Sequence, residues 1–179
     1  MNLLPLDIWE YLSEFINNDT DKCHLMRTCK GISKCAFYFY GLIDFDKING
    51  TQWFDKYTNI IIKEKIINLP LFITHLTIDN NVLIDNIPSS VTHLYFNSRF
   101  KQPFKDVIIP SSVTDFSIQN FHRDSWKGFK MPIMIKTLTI TGPYSKMGKK
   151  LIVSWMFLNN DEWISQKKII FSYPNETEY

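Results

Sequence analysis

Four stretches of this chain carry one pattern, and that pattern restricts the fold more than any other feature of the sequence. They are Leu69-Pro70-Leu71-Phe72-Ile73-Thr74-His75-Leu76-Thr77-Ile78, Ile87-Pro88-Ser89-Ser90-Val91-Thr92-His93-Leu94-Tyr95-Phe96, Ile109-Pro110-Ser111-Ser112-Val113-Thr114-Asp115-Phe116-Ser117-Ile118 and Met131-Pro132-Ile133-Met134-Ile135-Lys136-Thr137-Leu138-Thr139-Ile140. Their prolines lie 18, 22 and 22 residues apart, and in every unit an apolar residue stands three, six and eight places after the proline. Self-similarity at a fixed short period is the mark of a stacked repeat array.

Apolar residues at the sixth and eighth places describe a strand whose inward side chains are Leu76 and Ile78, Leu94 and Phe96, Phe116 and Ile118, and Leu138 and Ile140. Each proline lacks an amide donor and holds φ fixed, so it marks a corner before the strand. One unit cannot bury its own apolar edge, whereas units stacked about 4.8 Å apart form a parallel sheet over a continuous core. Tyr57-Thr58-Asn59-Ile60-Ile61-Ile62 repeats the strand signature without its proline and reads as a degenerate first coil. The ends of such an array need covering. Residues 149–173, rich in Trp, Phe and Ile, read as a cap that folds back on the array, and residues 175–179 as a frayed end.

The alternation that sends Leu94 and Phe96 inward sends His93, Tyr95 and Asn97 outward. The equivalent outward residues are His75, Thr77 and Asp79, then Asp115, Ser117 and Gln119, then Thr137, Thr139 and Thr141. These would tile a concave sheet. The candidates for holding a target are His75, Thr77, His93, Tyr95, Asn97, Asp115, Ser117, Thr137 and Thr139, with the amphipathic Tyr95 as central anchor. His75 and His93 should stack as neighbours, with Asp115 and Thr137 continuing their row.

The N-terminal texture is different. Ile8, Trp9, Leu12, Phe15 and Ile16 recur at helical spacing, and Pro5 suits a first helical turn. Asn17-Asn18-Asp19-Thr20-Asp21 offers capping oxygens before a second helical face of Leu25, Met26, Cys29 and Ile32. Helices this short are unstable alone and must pack on each other or on a partner. By spacing alone the Ile8, Leu12, Phe15 stripe is an inner core face, and only its place beside Leu4-Pro5 at the start of the chain favours docking. The division is therefore a helical module over 1–40, a helical or irregular connecting segment over 41–57, repeats over 58–145 and a C-terminal cap over 146–179. The fold class is α+β, a helical module followed by a short leucine-rich-repeat-like solenoid with a parallel sheet.

Twenty basic and eighteen acidic residues leave a formal charge of +2, and seventeen of the basic residues are lysine. That balance argues against nucleic acid or a membrane as partner. The start of the chain lacks a signal-peptide pattern and the longest mostly apolar run, Leu151 to Leu158, falls far short of the about 20 residues a bilayer requires, so an intracellular protein is expected. Cys23, Cys29 and Cys35 cluster too closely for a disulfide framework. Their six-residue intervals rotate helical ligands by about 240°, so with His24 they do not converge on zinc. Gly142-Pro143-Tyr144-Ser145-Lys146-Met147-Gly148-Lys149-Lys150 imitates a phosphate loop but has the wrong glycine spacing and lacks the magnesium-binding hydroxyl. No nucleophile, base or carboxylate pair stands in a catalytic signature, so no catalytic residues, metal or cofactor are assigned and a non-enzyme is expected.

Two resemblances follow from these residues. Leu4-Pro5-Leu6-Asp7-Ile8 with Leu12 and Phe15, then Leu25-Met26-Arg27-Thr28-Cys29-Lys30, resembles an F-box, the helical module that docks on the Skp-type adaptor of a cullin–RING ubiquitin ligase. Ile32 and Thr28 depart from that pattern. The units built on Ile-Pro-Ser-Ser-Val-Thr, with the linker Phe100-Lys101-Gln102-Pro103-Phe104, resemble FNIP repeats, relatives of leucine-rich repeats. The combination is similar to a family of proteins from slime moulds and giant amoebal viruses. It implies that Leu4, Pro5, Ile8, Leu12 and Leu25 insert into the adaptor, and that the repeats hold a target protein for ubiquitin transfer by other subunits. A stand-alone repeat binder whose helices only cap the solenoid, or a viral decoy that occupies the host adaptor, are the alternatives.

Overall fold

A computed structural model of the chain describes residues 4–28, 37–51, 54–64, 68–79, 86–144, 146–159 and 168–172. Its elements are α1 (Leu6–Ser13), α2 (Asp19–Thr28), β1 (Ile43–Asp44), α3 (Phe45–Ile48), β2 (Asn59–Ile62), β3 (His75–Ile78), β4 (His93–Phe96), β5 (Asp115–Gln119), β6 (Thr137–Thr141), α4 (Lys146–Asn159) and β7 (Lys168–Ser172). Short 3-10 turns at Phe54–Lys56, Phe104–Asp106 and Arg123–Trp126 lie between strands. The seven strands form one sheet in chain order, every neighbouring pair parallel. Parallel neighbours in chain order require each connection to cross back before the next strand, so each unit makes one turn of a solenoid.

The proline corners form as the pattern requires. The amides of Val91, Val113 and Ile135 donate to the carbonyls of Pro88, Pro110 and Pro132, each at 3.1 Å, closing turns across Ser89-Ser90, Ser111-Ser112 and Ile133-Met134. Each turn delivers the residue three places after the proline to the core. Ile73, Val91, Val113 and Ile135 are all fully buried, and every inward residue at the sixth and eighth places is no more than 2 % exposed.

The coils are also joined through a line of carbonyls just before the strands. Thr58 O accepts from the amides of Thr74 and His75 at 2.8 and 2.9 Å, and Thr74 O accepts from Thr92 and His93 at 2.9 and 3.0 Å. Thr92 O then takes Thr114 and Asp115 at 2.9 and 3.1 Å, and Thr114 O takes Lys136 and Thr137 at 2.7 and 3.1 Å. Threonine hydroxyls add a second rung: Thr58 Oγ1 donates to Phe39 O at 3.0 Å, and Thr92 Oγ1 to Thr74 O at 3.2 Å. Behind the sheet the crossings fill the core with aromatic rings, including Phe100, Phe104, Trp126 and Phe129, with Phe104 and Trp126 centroids 5.1 Å apart.

The array extends beyond the expected repeats at both ends. Within 41–57, expected to be a helical or irregular connection, β1 pairs Ile43 with Ile60 and Asp44 with Ile61, and Phe45 and Ile48 of α3 join the main core. The coil of Tyr57 to Ile62 forms as β2, but it is not the first, since β1 precedes it. At the far end α4 buries Ile152 and Met156 in the core, and β7 adds a seventh parallel strand instead of folding back across the edge. Residues 175–179, Trp53, Cys29, Cys35 and Ile32 lie outside the described residues.

α2 closes the N-terminal end through polar contacts that hydrophobic patterning cannot reveal. The Lys22 side chain is buried, with Nζ donating to Tyr38 O at 2.9 Å and lying 4.5 Å from the Tyr40 ring centre. Asp19 accepts the Gly41 amide at 2.6 Å, so close that a Cβ at Gly41 would meet its carboxylate at 2.8 Å. A small second core of Met26, Phe37 and Phe39, with Trp9, Cys23, Leu25 and Tyr57 packed on it, lies under this clasp.

Phe116→Ala removes a fully buried ring shared by the strand and crossing layers, and is expected to lower unfolding stability by about 3–5 kcal/mol. Ser89→Ala at the exposed corner should stay within about 0.5 kcal/mol of the parent. Urea denaturation followed by circular dichroism checks both.

Candidate functional site

The outward side of the sheet consists of three rows set by the register. One row runs Asn59, His75, His93, Asp115, Thr137 and Lys168. The next runs Asp44, Ile61, Thr77, Tyr95, Ser117, Thr139 and Ile170. The third includes Gln119, Thr141 and Ser172, with Asp79 and Asn97 directly following β3 and β4. The sequence-derived candidates His75, Thr77, His93, Tyr95, Asn97, Asp115, Ser117, Thr137 and Thr139 thus share one face, where His75 and His93 are exposed and the others half-buried.

Hydrogen bonds order the centre of this face. Tyr95 donates to Gln119 Oε1 at 3.1 Å across the strands. The His75 and His93 rings stack with centroids 4.1 Å apart and planes inclined by 11°. Each ring is held by the threonine before it: Thr74 Oγ1 lies 2.9 Å from His75 Nδ1 and Thr92 Oγ1 2.8 Å from His93 Nδ1. In the next coil Thr114 donates instead to Asp115 Oδ2 at 2.7 Å, and that carboxylate stands 3.6 Å from His93 Nε2. Burial, with the neighbouring His93 charge, pushes the His75 imidazole below its usual value, while Asp115 pulls the other way. Burial raises the Tyr95 phenol, with a smaller contribution from Asp79.

Charged side chains pair at or just beyond the ends of strands β1 to β4. Lys63 pairs with Asp44, which lowers the Asp44 carboxyl through that hydrogen bond, and Arg99 lies 3.6 Å from Asp79. The apolar Ile61 and Ile170 stand in the central row near either end. These flanking residues were missed in the sequence. The β1 pair is too short to show a period, and β7 lacks both proline and threonine, although Ile169 and Phe171 keep the two-residue apolar spacing.

The second candidate surface is α1. Leu4, Ile8 and Leu12 are 47, 40 and 38 % exposed, Tyr11 and Phe15 more so, and Pro5 is also exposed. Trp9 alone of the stripe packs on the small second core. The helix ends at Ser13, so Phe15 and Ile16 lie past it. Leu25 does not join this surface, because it turns towards Met26 and the phenylalanines beneath α2.

Beside α2 a cleft of about 370 Å3 is lined by Cys23, His24, Arg27, Leu42 and Tyr57 among others, and burial raises the Cys23 thiol. Among the described residues no group of three or more His, Cys, Asp or Glu side chains could hold a metal ion. Gly148, Lys149 and Lys150 of the phosphate-loop lookalike lie inside α4. Gly142 serves packing, since a Cβ there would fall 2.5 Å from the Tyr144 ring, whose hydroxyl accepts the Phe121 amide. Among the described residues no helix is long and apolar enough to cross a membrane.

This is a repeat protein with a parallel solenoid sheet. Residues 79–121, which contain β4 and β5, match the family model of the FNIP Repeat. No curated protein and no solved structure matches the chain. The FNIP match points to a repeat module for protein interaction.

Because burial raises the Tyr95, Tyr57 and Tyr144 phenols, their neutral forms favour the folded state. That contribution is intact below about pH 10 and is lost as pH rises through the folded values. Phenolate absorbance should therefore appear later in the folded chain than in the urea-unfolded chain, and Tyr95→Phe should flatten the alkaline loss of stability.

Proposed function

We propose that the chain is a non-catalytic recruiting adaptor of a ubiquitin ligase: α1 docks on a Skp-type protein and the outward face of the repeats holds a target protein. One observation carries the reading. α1 turns Ile8, Tyr11 and Leu12 to solvent, with Leu4 just before it and Phe15 just after it exposed as well, although buried cores lie close by. An apolar surface concentrated on one short helix marks an interaction site. Its place at the opposite end of the sequence from β7 suits a bridge between two partners. The chemistry would lie in other subunits, and this chain would contribute proximity. The F-box resemblance supplies the identity of the adaptor, and the FNIP match supports the repeats as the target-holding part.

A second reading, a stand-alone repeat binder, is favoured by α2, whose Lys22 and Asp19 contacts clasp the first coil as a cap does. The two helices separate the readings. Removing residues 1–16 deletes α1 but leaves this clasp, whereas removing residues 1–28 exposes Phe37 and Phe39.

Ile8→Asp and Leu12→Asp are expected to abolish co-purification with a Skp-type adaptor while circular dichroism and melting stay at parental values. The 1–16 deletion should likewise abolish capture, at a small loss of stability because Trp9 leaves the second core, and the 1–28 deletion should melt earlier still. Adaptor capture that survives both aspartate substitutions contradicts the docking role of α1.

A further inference from the structure

The centre of the outward face carries a titratable column among the residues offered to a target. In a parallel sheet, side chains on one row stand about 4.8 Å apart. The His75 and His93 rings are closer than that, at 4.1 Å and nearly parallel, so they lean into contact. Two neutral imidazoles tolerate this arrangement, and two imidazolium rings at the same distance repel. The Asp115 carboxylate, 3.6 Å from His93 Nε2, offsets one positive charge on the column but not two.

Among the described residues, the neighbours along these rows add no second carboxylate beside the rings. On the other side of His75 the row continues with Asn59 of β2, which is uncharged, and beyond Asp115 with Thr137 of β6. The adjoining row presents Thr77, Tyr95 and Ser117. Asp79, beyond the end of β3, faces Arg99. The threonine partners adapt to either state of the rings. Thr92 Oγ1 can donate to His93 Nδ1 or, by donating to Thr74 O at 3.2 Å, accept a hydrogen bond from the Nδ1–H, and Thr74 stands likewise between His75 and Thr58 O at 3.4 Å.

We propose that the His75, His93 and Asp115 column makes this face proton-sensitive: while His75 is neutral the two rings stay stacked as a flat surface for a partner protein, and in mild acid a proton on His75 drives the rings apart and adds positive charge to the same surface. The consequence for a partner rests on the binding role proposed for the face, while the titration is a property of the chain itself. A protein seated over Tyr95 would meet a flat stacked pair at one pH and a displaced, positively charged His75 at the other. Imidazole is the group suited to such a switch, because its ordinary titration falls near pH 6.5. Since burial and His93 favour the neutral form of His75, its contribution to folding holds above that value and is lost as pH falls through the lowered one.

The test is a histidine-resolved NMR titration of the full chain from neutral pH to about pH 5. The His75 Cε1–H midpoint should fall below the usual value, rise by about half a unit or more in His93→Asn, and fall further in Asp115→Asn. The amide signals of Tyr95 and Ser117 should move with the His75 transition. A His75 midpoint unchanged by His93→Asn, or Tyr95 and Ser117 signals indifferent to it, overturns the proposal. The readout needs no partner, so its failure is distinct from failure of the face to capture a target.

Discussion

Everything in this molecule follows from the inability of one coil to hide its own apolar residues. A unit of about 22 residues sends three side chains inward, and a single layer leaves them open to water above and below. Stacking supplies the missing walls. Leu76, Leu94, Phe116 and Leu138 lie in one column through the registers of β3 to β6, and Ile78, Phe96, Ile118 and Ile140 lie in the next. The threonine carbonyls bind each coil to the one before, which fixes the register and therefore the face to which every other side chain points.

That register produces the candidate site as a by-product of the repeat. The threonine that locks a coil stands immediately before the first outward residue of the strand, so its hydroxyl also meets that residue's side chain. In two successive coils the partner is histidine and in the third it is aspartate. The ordered His75, His93 and Asp115 row therefore arises from a repeat whose core positions are constant and whose outward positions are free to vary. Such a scaffold can change its partner without altering what holds it together.

The parts legible in the sequence are those where period and chemistry coincide. Leu94 and Phe96 could be placed inward and His93 and Tyr95 outward because two-residue alternation leaves no other choice within a strand headed by a proline corner. The ends were less legible. Ile43-Asp44 is too short to show alternation, and its strand is recognised only by pairing with Ile60 and Ile61. Lys168–Ser172 keeps the alternation, but no proline precedes it at the repeat's spacing, so its sequence does not mark it as a coil. Lys22 is the least readable residue of all. A lysine on an otherwise polar helix is read as solvated, and only the Tyr38 carbonyl and the Tyr40 ring, both distant in sequence, explain its burial. The resemblance groups Leu25 with α1, yet α2 packs it, half-buried, against the small second core.

The N-terminal helices divide between the two roles that a terminal module can play. α2 seals the end of the sheet with one buried ammonium and one carboxylate, and α1 keeps its apolar residues outside. The most direct measurement of the underlying claim, that the coils form one continuous stack, is amide hydrogen exchange by NMR. The paired amides of Thr74, His75, Thr92, His93, Thr114, Asp115, Lys136 and Thr137 should exchange slowly and with closely similar protection, since they open only when the stack opens. Fast exchange at these junctions while amides within a single coil stay protected would contradict the account.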